Sequence, residues 1–368
     1  MMKAIKYRIY PSPAQEQFFA KCFGCCRKIW NLMLGDMIES YKETGEFKCK
    51  TPAGYKRDYP YLKEVDSLAL TNKQLDLNEA MKARFDKKRK RNNNFPKFKS
   101  AKRSRKSYTT NNQDGTVAVI GNMIKLPKAG LVKAVIHRDA PDSWKLKNAT
   151  VSRGPDGRYY CSVTYEYEED IIPVPVSDNA IGFDHKSDGM YMDSEGNVGA
   201  EHKYYRESQK KLAHEQKKLN RKQKDSNNYK KQKRRVAKVH KHIANQRMDS
   251  RQKASTAIAN RYDVACAEDI DLKAISNRKF HNGKSTMDNA YGEFLRMLEY
   301  KMKDRGKYFV RVSRWYPSSQ ICSRCGKRHK MPLSVRVYEC ECGLVMNRDH
   351  NAALNIKREG LRILMETL

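Results

Sequence analysis

Apolar and polar residues alternate in the opening stretch KAIKYRIYP, the period of a half-buried strand, until Pro11-Ser12-Pro13 breaks it and starts a helix. From residue 14 to 43 the apolar positions Phe18, Phe19, Phe23, Trp30, Leu34, Ile38 and Tyr41 return at helical spacing. The turn-rich TPAGYKRDYPY separates this helix from a second helical region, roughly 67–90. That region runs into DKKRKRNNNFPKFKSAKRSRKS, too charged and Asn-rich for a core element. Between 108 and 168 the period shortens to two. SYTTNN, TVAVIG, MIKLP, LVKAVIHR, NATVSRG and RYYCSVTYEYE read as short strands, punctuated by Asp114-Gly115, Gly121-Asn122, Pro127, Gly130 and Asp156-Gly157. They predict a small antiparallel barrel or sandwich, joined by the opening strand and interrupted by the helices of 14–100.

After IIPVPVSD (171–178), which reads as a linker, the pattern changes again. A strand AIGFD and a hairpin partner GMYMDSEG precede a long helical block, 200–260, whose polar break KDSNNYK predicts two antiparallel helices. There follow an apolar strand DVACAE, a polar segment 270–288, a helix 289–305, the strand KYFVRVS, a cysteine cluster and a closing helix from about 350. Strands alternating with helices mark this half as α/β, and no repeat recurs at a fixed period.

Charge sharpens this picture. Of 368 residues 75 are Lys or Arg and 42 are Asp or Glu, a formal charge of +33. So large a field repels itself unless a polyanion neutralises it, so nucleic acid is the expected partner. Thirteen Lys and Arg against two acids fall between residues 208 and 240. No run approaches a membrane span and the N-terminus lacks the apolar stretch of a signal peptide, so a membrane or secreted protein is not expected. Four of the ten cysteines, Cys322, Cys325, Cys340 and Cys342, stand together as CSRCG and CECG. That spacing predicts a closed, structural tetrahedral Zn²⁺ site, although the second pair is one spacer short, and His329 is a substitute ligand if that pair cannot close. Cys22, Cys25 and Cys26 sit in a helix among apolar neighbours and read as buried thiols.

Three acids stand at element ends. Asp184 closes AIGFD, Glu268 closes DVACAE, and Asp349 is expected just before the helix NAALNIKREG, where it is also placed to cap it. Carboxylates beside apolar sequence are costly unless a cation shares them. Mg²⁺ takes such oxygen ligands, and two ions about 4 Å apart can activate a water and stabilise the leaving oxygen of a phosphodiester.

The order GFDHK, CAEDIDL, PSSQICSRCG, then CECGLVMNRDHNAALNI resembles the TnpB proteins, the OrfB-type proteins of insertion sequences. KAIKYRIYPSPAQEQFFAKCFGCCRKIWN, FPKFKSAKRSRKSYTT and IKLPKAGLVKAVIHR extend the likeness over nearly the whole chain. The resemblance implies an α+β multidomain protein: a wedge β-barrel (1–10 and 101–172), an inserted helical recognition lobe (11–100), and an RNase H-like (RuvC) α/β nuclease domain (178–368). The last holds the basic helical hairpin (200–260) and a zinc ribbon (318–346). The activity implied is RNA-guided cleavage of double-stranded DNA at a single Mg²⁺-dependent RuvC site, with two Mg²⁺ and one structural Zn²⁺. Its partners would be a guide RNA and target DNA carrying a short adjacent motif, in a bacterial or archaeal cytoplasm near the nucleoid, one monomer per RNA.

By the same likeness Asp184, Glu268 and Asp349 match the catalytic, Mg²⁺-holding acids, and Cys322, Cys325, Cys340 and Cys342 the ribbon ligands. His185-Lys186, Asn347 and the CxC pair depart from the usual pattern. Candidates for nucleic-acid contact are Lys87, Arg89, Lys97, Lys99, Arg103, Arg105, Arg221 and Arg234 on phosphates, and Tyr55, Tyr59 and Tyr61 stacking on bases or ribose. Asn72, Lys73 and Gln74 are candidates for reading the motif, and Arg314 and Arg348 for holding the scissile phosphate. Arg348 pairing with an acid is the competing role. A compact type V CRISPR effector and a non-cleaving nucleic-acid-binding regulator are the alternative functions, and the presence of all three acids argues against the second.

Overall fold

β1 (Met2–Tyr10) buries Ile5, Tyr7 and Ile9 on one face, as its alternation requires. In the computed structural model, which describes all residues except 87–93, 169, 187–188, 200–202, 272–289 and 333–334, this strand is the middle of a seven-stranded antiparallel sheet. The other strands are β2 (Lys106–Asn111), β3 (Ala118–Ile120), β4 (Met123–Leu126), β5 (Gly130–Val135), β6 (Lys145–Arg153) and β7 (Tyr159–Glu166), in the order β2-β6-β7-β1-β5-β4-β3. The sequence pattern predicts a barrel or sandwich, and the family resemblance a barrel. The sheet is instead curled and open: β2 and β3 are its edges, with no ladder between them among the described residues.

Between β1 and β2 run three helices. α1 (Pro13–Thr44) starts with Pro13 at its first position and a capping box in which Ser12 and Gln15 satisfy each other's backbone N–H, and it stops at Gly45 in the left-handed conformation. The turn-rich stretch holds a short helix, α2 (Pro52–Asp58), followed by a 3₁₀ turn, Pro60–Lys63. Thr51 caps α2 and Pro52 starts it, so local capping offsets the poor helix propensity of Gly54. α3 (Ser67–Phe85) is closed by Asp86 at its C-cap, and residues 87–90 of the expected helix lie outside the described residues. One apolar core joins these helices to the sheet, with Phe19, Phe23 and Ile29 of α1 and Leu70 and Leu77 of α3 packed with Tyr7, Tyr108 and Val163. Cys22, Cys25 and Cys26 lie inside it, and burial raises all three thiols, Cys22 and Cys26 to about 12.

Met1–Glu169 is one compact unit and Asp170–Leu368 a second. The expected linker is bound to the second: Val174 N–H donates to Gly306 O, and Ser177 Oγ to Asp263 Oδ2. The second unit is built on a five-stranded mixed sheet. β8 (Ala180–His185), β9 (Tyr191–Asp193) and β10 (Val198–Gly199) form an antiparallel meander. β11 (Val264–Glu268) and β12 (Tyr308–Val312) add in parallel beside β8, giving the order β10-β9-β8-β11-β12. α4 (Tyr204–Asn220) and α5 (Asn227–Arg261) form a basic antiparallel hairpin with its own small core of Leu212, Val239 and Ile243. α6 (Tyr291–Lys303) and the end of α5 cover one face of the sheet. α7 (Arg348–Thr367) covers the other. Before α7, β13 (Val337–Glu339) and β14 (Val345–Asn347) make a two-stranded ribbon.

Candidate active site

Strand register brings two of the acids side by side. β8 and β11 run parallel with Phe183 opposite Ala267, so Asp184 and Glu268 are the next residues on strands about 4.8 Å apart. Side chains alternate between the faces of a strand. Ile181, Phe183, Ala265 and Ala267 pack with α5 and α6, whereas Ala180, Val264 and Cys266 pack with Ile356 and Leu364 of α7. Asp184 and Glu268 therefore project to the α7 side.

Asp349 arrives there on α7. The sequence pattern puts it ahead of the helix as a cap. It lies inside the first turn, and the cap is Asn347, whose Oδ1 accepts from the N–H of Asp349 (2.9 Å) and of His350 (3.2 Å). Asp349 thus keeps its carboxylate, at a helix N-terminus that favours negative charge. α7 lies so close to β8 that a Cβ on Gly182 would sit 2.3 Å from Ala353 O and 2.7 Å from Lys357 N. Ser194 Oγ accepts from Gly182 N–H, and Ser194 O lies 3.2 Å from His350 Nε2, which ties the hairpin turn to the start of α7.

The charges interact. Burial, then the charges of Asp349 and Glu268, push Asp184 well above the usual carboxylate range. Burial raises Glu268 to about 7, with Asp269 adding to and Arg314 opposing the shift. Two cations face Asp349 without closing on it: Lys186 Nζ and Arg348 Nη2 each stand 4.0 Å from a carboxylate oxygen. Arg348 is buried and also donates to Pro332 O, and the half-exposed Arg314 pairs with Asp269 at 2.8 Å. An all-oxygen donor set with excess buried negative charge fits a hard divalent cation. Among the described residues only the four thiols are gathered tightly enough to close on a single ion. The carboxylates are spread more widely.

Those thiols lie within 4.8 Å of one another, with Cys322–Cys342 and Cys325–Cys340 sulfurs at 3.6 Å. A tetrahedron with Zn–S of about 2.3 Å has edges of about 3.8 Å, so the set fits Zn²⁺, and the one-residue spacer of the second pair does not hold its sulfurs away. Burial alone would raise Cys322, but the N–H groups of Cys325 and Arg324 aimed at its sulfur bring it down to about 6. Gly326 and Gly343 make the two turns at φ of 77° and 81°. His329 Nε2 is 3.4 Å from Cys340 Sγ, a partner of a ligand candidate rather than a fifth member of the cluster. The buried amides of Asn351 and Asn355 on α7 donate to Ile321 O, and Asn351 Oδ1 accepts from Ser323 N–H. One helix therefore holds both the acid and the thiol loop.

The remaining candidates divide. Tyr55 is a core residue, buried and donating to Asp36 Oδ2 at 2.5 Å, and not an exposed stacking face. Tyr61 is exposed. The Asn72 amide is engaged by Leu68 O, Thr109 O and Asn111 Oδ1, and Lys73 pairs with Asp76. Gln74 is half-buried; Lys97, Arg103, Arg105, Arg221 and Arg234 are exposed, and Lys99 is half-buried. Lys87 and Arg89 lie outside the described residues. Gly182, Asn351 and Asn355 hold α7 against β8 and the thiol loop, and no sequence pattern marks them; Trp315 is a further exposed residue near this edge. That residue is 86% exposed, three positions past the Val312 that pairs with Glu268. A tryptophan among polar residues in SRWYP was the available signal.

The fold is similar to that of Cas12f1: the chain matches the protein of the "Cryo-EM structure of the Cas12f1-sgRNA-target DNA complex" with a TM-score of 0.53 and 13% identity, over 97% of this chain and 98% of that one. Family models described as a helix-turn-helix domain (residues 1–46), a probable transposase of the OrfB type (162–279) and a Cas12f1-like TNB domain (291–356) match the sequence. Residues 1–46 hold one strand and one 32-residue helix here, not a pair of helices. A Streptomyces pristinaespiralis protein is 32% identical, over 98% of this chain and 89% of its own length. InsQ of Escherichia coli (strain K12) is 30% identical, over 99% and 93%. Both carry the curated name "Putative RNA-guided DNA endonuclease". The chain belongs to the TnpB family, the OrfB proteins of IS605-type elements.

Proposed function

We propose that this chain is an RNA-guided DNA endonuclease that hydrolyses phosphodiesters at one RuvC-type site formed by Asp184, Glu268 and Asp349. The observation that carries this reading is the convergence of the three acids on the α7 side of the mixed sheet, where Asp184 is raised by burial and by the other two. Divalent cations held there would supply an activated water and stabilise the leaving oxygen. Asp184 and Glu268 provide ligand oxygens on rigid adjacent strands, and Asp349 provides another from a capped helix start. Lys186 and Arg348, already facing Asp349, are placed to attract a phosphate to the same edge.

The four cysteines would hold one structural Zn²⁺, its closed thiol set leaving no position for water. Met1–Tyr10 with 101–172 would serve as the wedge and 11–100 as the recognition lobe, together gripping guide RNA and the motif-bearing duplex. The basic hairpin α4–α5 would carry part of the heteroduplex through its phosphates.

Purification without nuclease treatment, followed by sequencing of copurifying RNA, tests the guided reading: a discrete RNA is expected, and none would sink it. The sequence of that RNA also tells an element-derived guide from a CRISPR-type one. With that RNA and a matching duplex, cleavage should require Mg²⁺. Asp184→Ala, Glu268→Ala and Asp349→Ala should each lower the rate by about 10³-fold or more, the scale of losing a group on which the metal chemistry depends. Any one that cleaves normally is not a ligand.

A further inference from the structure

A cavity of about 160 Å³ opens in the first unit where α1, α3 and the segment leading into β2 meet. Among the described residues, Arg27, Lys73, Lys99, Arg105 and Lys106 line it with Ser104 and Ser107, and no carboxylate does. We propose that this cavity seats one phosphodiester of the bound nucleic acid, with Lys99 as its inner cation. The proposal rests on the nucleic-acid-guided reading above and deepens it.

The cavity is held open by backbone, independently of its charges. Trp30 Nε1 donates to Lys97 O (3.1 Å), and Asn31 clasps Lys99 from both sides, Nδ2 to Lys99 O (2.9 Å) and Lys99 N–H to Oδ1 (2.7 Å). These bonds pin segment 97–99 to α1, and they place the Lys99 ammonium 3.2 Å from the centroid of the Trp30 ring. The wall behind is apolar: Phe23, and the Cys26 thiol, which burial raises to about 12 so that it stays neutral and supplies no counter-charge. The nearby acid Asp76 is taken by Lys73. Burial and the Lys73 charge bring Lys99 down to about 8, so the ammonium is costly as it stands.

Cations gathered around a small cavity gain most from a compact multivalent oxyanion, and a phosphate oxygen pair matches the guanidinium and ammonium donors in charge and size. In a chain of +33 whose family handles RNA and DNA, that oxyanion is a backbone phosphate, of either the RNA or the DNA. Lys73, which the sequence pattern puts forward for reading bases, is on this view a phosphate contact.

The test measures binding of a labelled 20-nucleotide RNA and a labelled 20-base-pair DNA duplex to the RNA-free, full-length protein. It is read without divalent cation, across a range of salt. The double variant Lys99→Gln/Arg105→Gln should weaken at least one probe by about 10- to 100-fold and flatten its log–log salt dependence by about one unit, as expected for one lost phosphate contact. Lys21→Gln, an exposed lysine paired with Glu64, should change binding by less than about threefold. Loss confined to the RNA probe assigns the seat to RNA, and loss confined to the duplex assigns it to DNA. Unchanged affinity and slope for both probes overturn the proposal.

If the double variant does not fold, amine acetylation of the unaltered protein at pH 8 decides. Lys99 should be labelled in the free protein and protected about fivefold or more by the probe, and equal labelling overturns the seat. Because no readout uses cleavage, failure here leaves the endonuclease reading intact, whereas absence of any copurifying RNA would fall on that reading.

Discussion

A single absent side chain sets the approach of α7 to the sheet. Gly182→Ala would drive a Cβ into Ala353 O, a backbone atom that can move only if the helix moves. Overpacking of this kind costs about 1–3 kcal/mol, and a shift of about 1 Å at a reacting group costs about 10²-fold in rate. We expect the variant to bind RNA normally, melt lower and cleave at least about 10²-fold more slowly. A variant that melts lower but cleaves normally would show that the spacing of α7 does not matter to the site. Tyr55→Phe separates core from contact surface in the same way: losing the bond to Asp36 should lower stability by about 1–3 kcal/mol and leave nucleic-acid affinity unchanged. Lys301 offers a pH signature. It is buried, donates to Gln252 O, Ser255 Oγ and Thr256 Oγ1, and burial lowers it to about 8. Between pH 8 and its ordinary value of about 10.4 the unfolded chain binds the extra proton, so this residue's contribution to stability rises with pH across that window, and its cost is complete below pH 8. Buried thiols such as Cys161, raised to about 12, act in the opposite direction above about pH 9. The measurable quantity is therefore the difference in melting temperature between the wild type and Lys301→Met. The variant's advantage should be greatest at pH 7 and shrink by pH 10; a difference independent of pH would refute the assignment.

At the scale of elements, α7 is the joint between the carboxylate edge and the thiol loop. Removal of zinc by a chelator, or Cys325→Ser, should release the loop that Asn351 and Asn355 hold and lower the melting temperature. Metal analysis should return one zinc per chain before treatment. An untreated protein without zinc, or a treated one with unchanged melting, would refute a structural site. Much of this arrangement was legible in the sequence because local pattern dictates it. Asp184 and Glu268 end apolar runs that can only be buried strands, and the CxxC and CxC pairs bracket a short insert. α2 was not legible: seven residues with Pro and Gly carry too little period, and its helix depends on the Thr51 cap. Nor were Asn347 as cap, Gly182 as contact, or the convergence of Lys73 with Lys99. Each depends on the hydrogen-bond geometry or packing of the finished fold, which no window of neighbouring residues contains.

For the whole molecule, the charge of +33 is shared almost evenly. Met1–Glu169 has 34 Lys and Arg against 18 Asp and Glu, and Asp170–Leu368 has 41 against 24. Neither unit neutralises the other, so each carries its own self-repulsion when no polyanion is bound. Salt must then act with opposite signs on two measurements. In the free protein, raising NaCl from about 50 to 300 mM screens like charges and should raise the melting temperature. In the complex, the same change weakens every phosphate contact, so affinity should fall steeply and the stabilisation conferred by nucleic acid should shrink. Charge reversal on the exposed hairpin, Arg221→Glu with Arg234→Glu, should reduce the salt slope of binding by about two units if both touch phosphate. It should also raise, not lower, the melting temperature of the free protein, because both residues lie exposed in a strongly basic segment. A free protein that melts lower in higher salt, or a reversal that destabilises it, would mean that local ion pairs compensate the charge, leaving no pressure for a polyanion to bind.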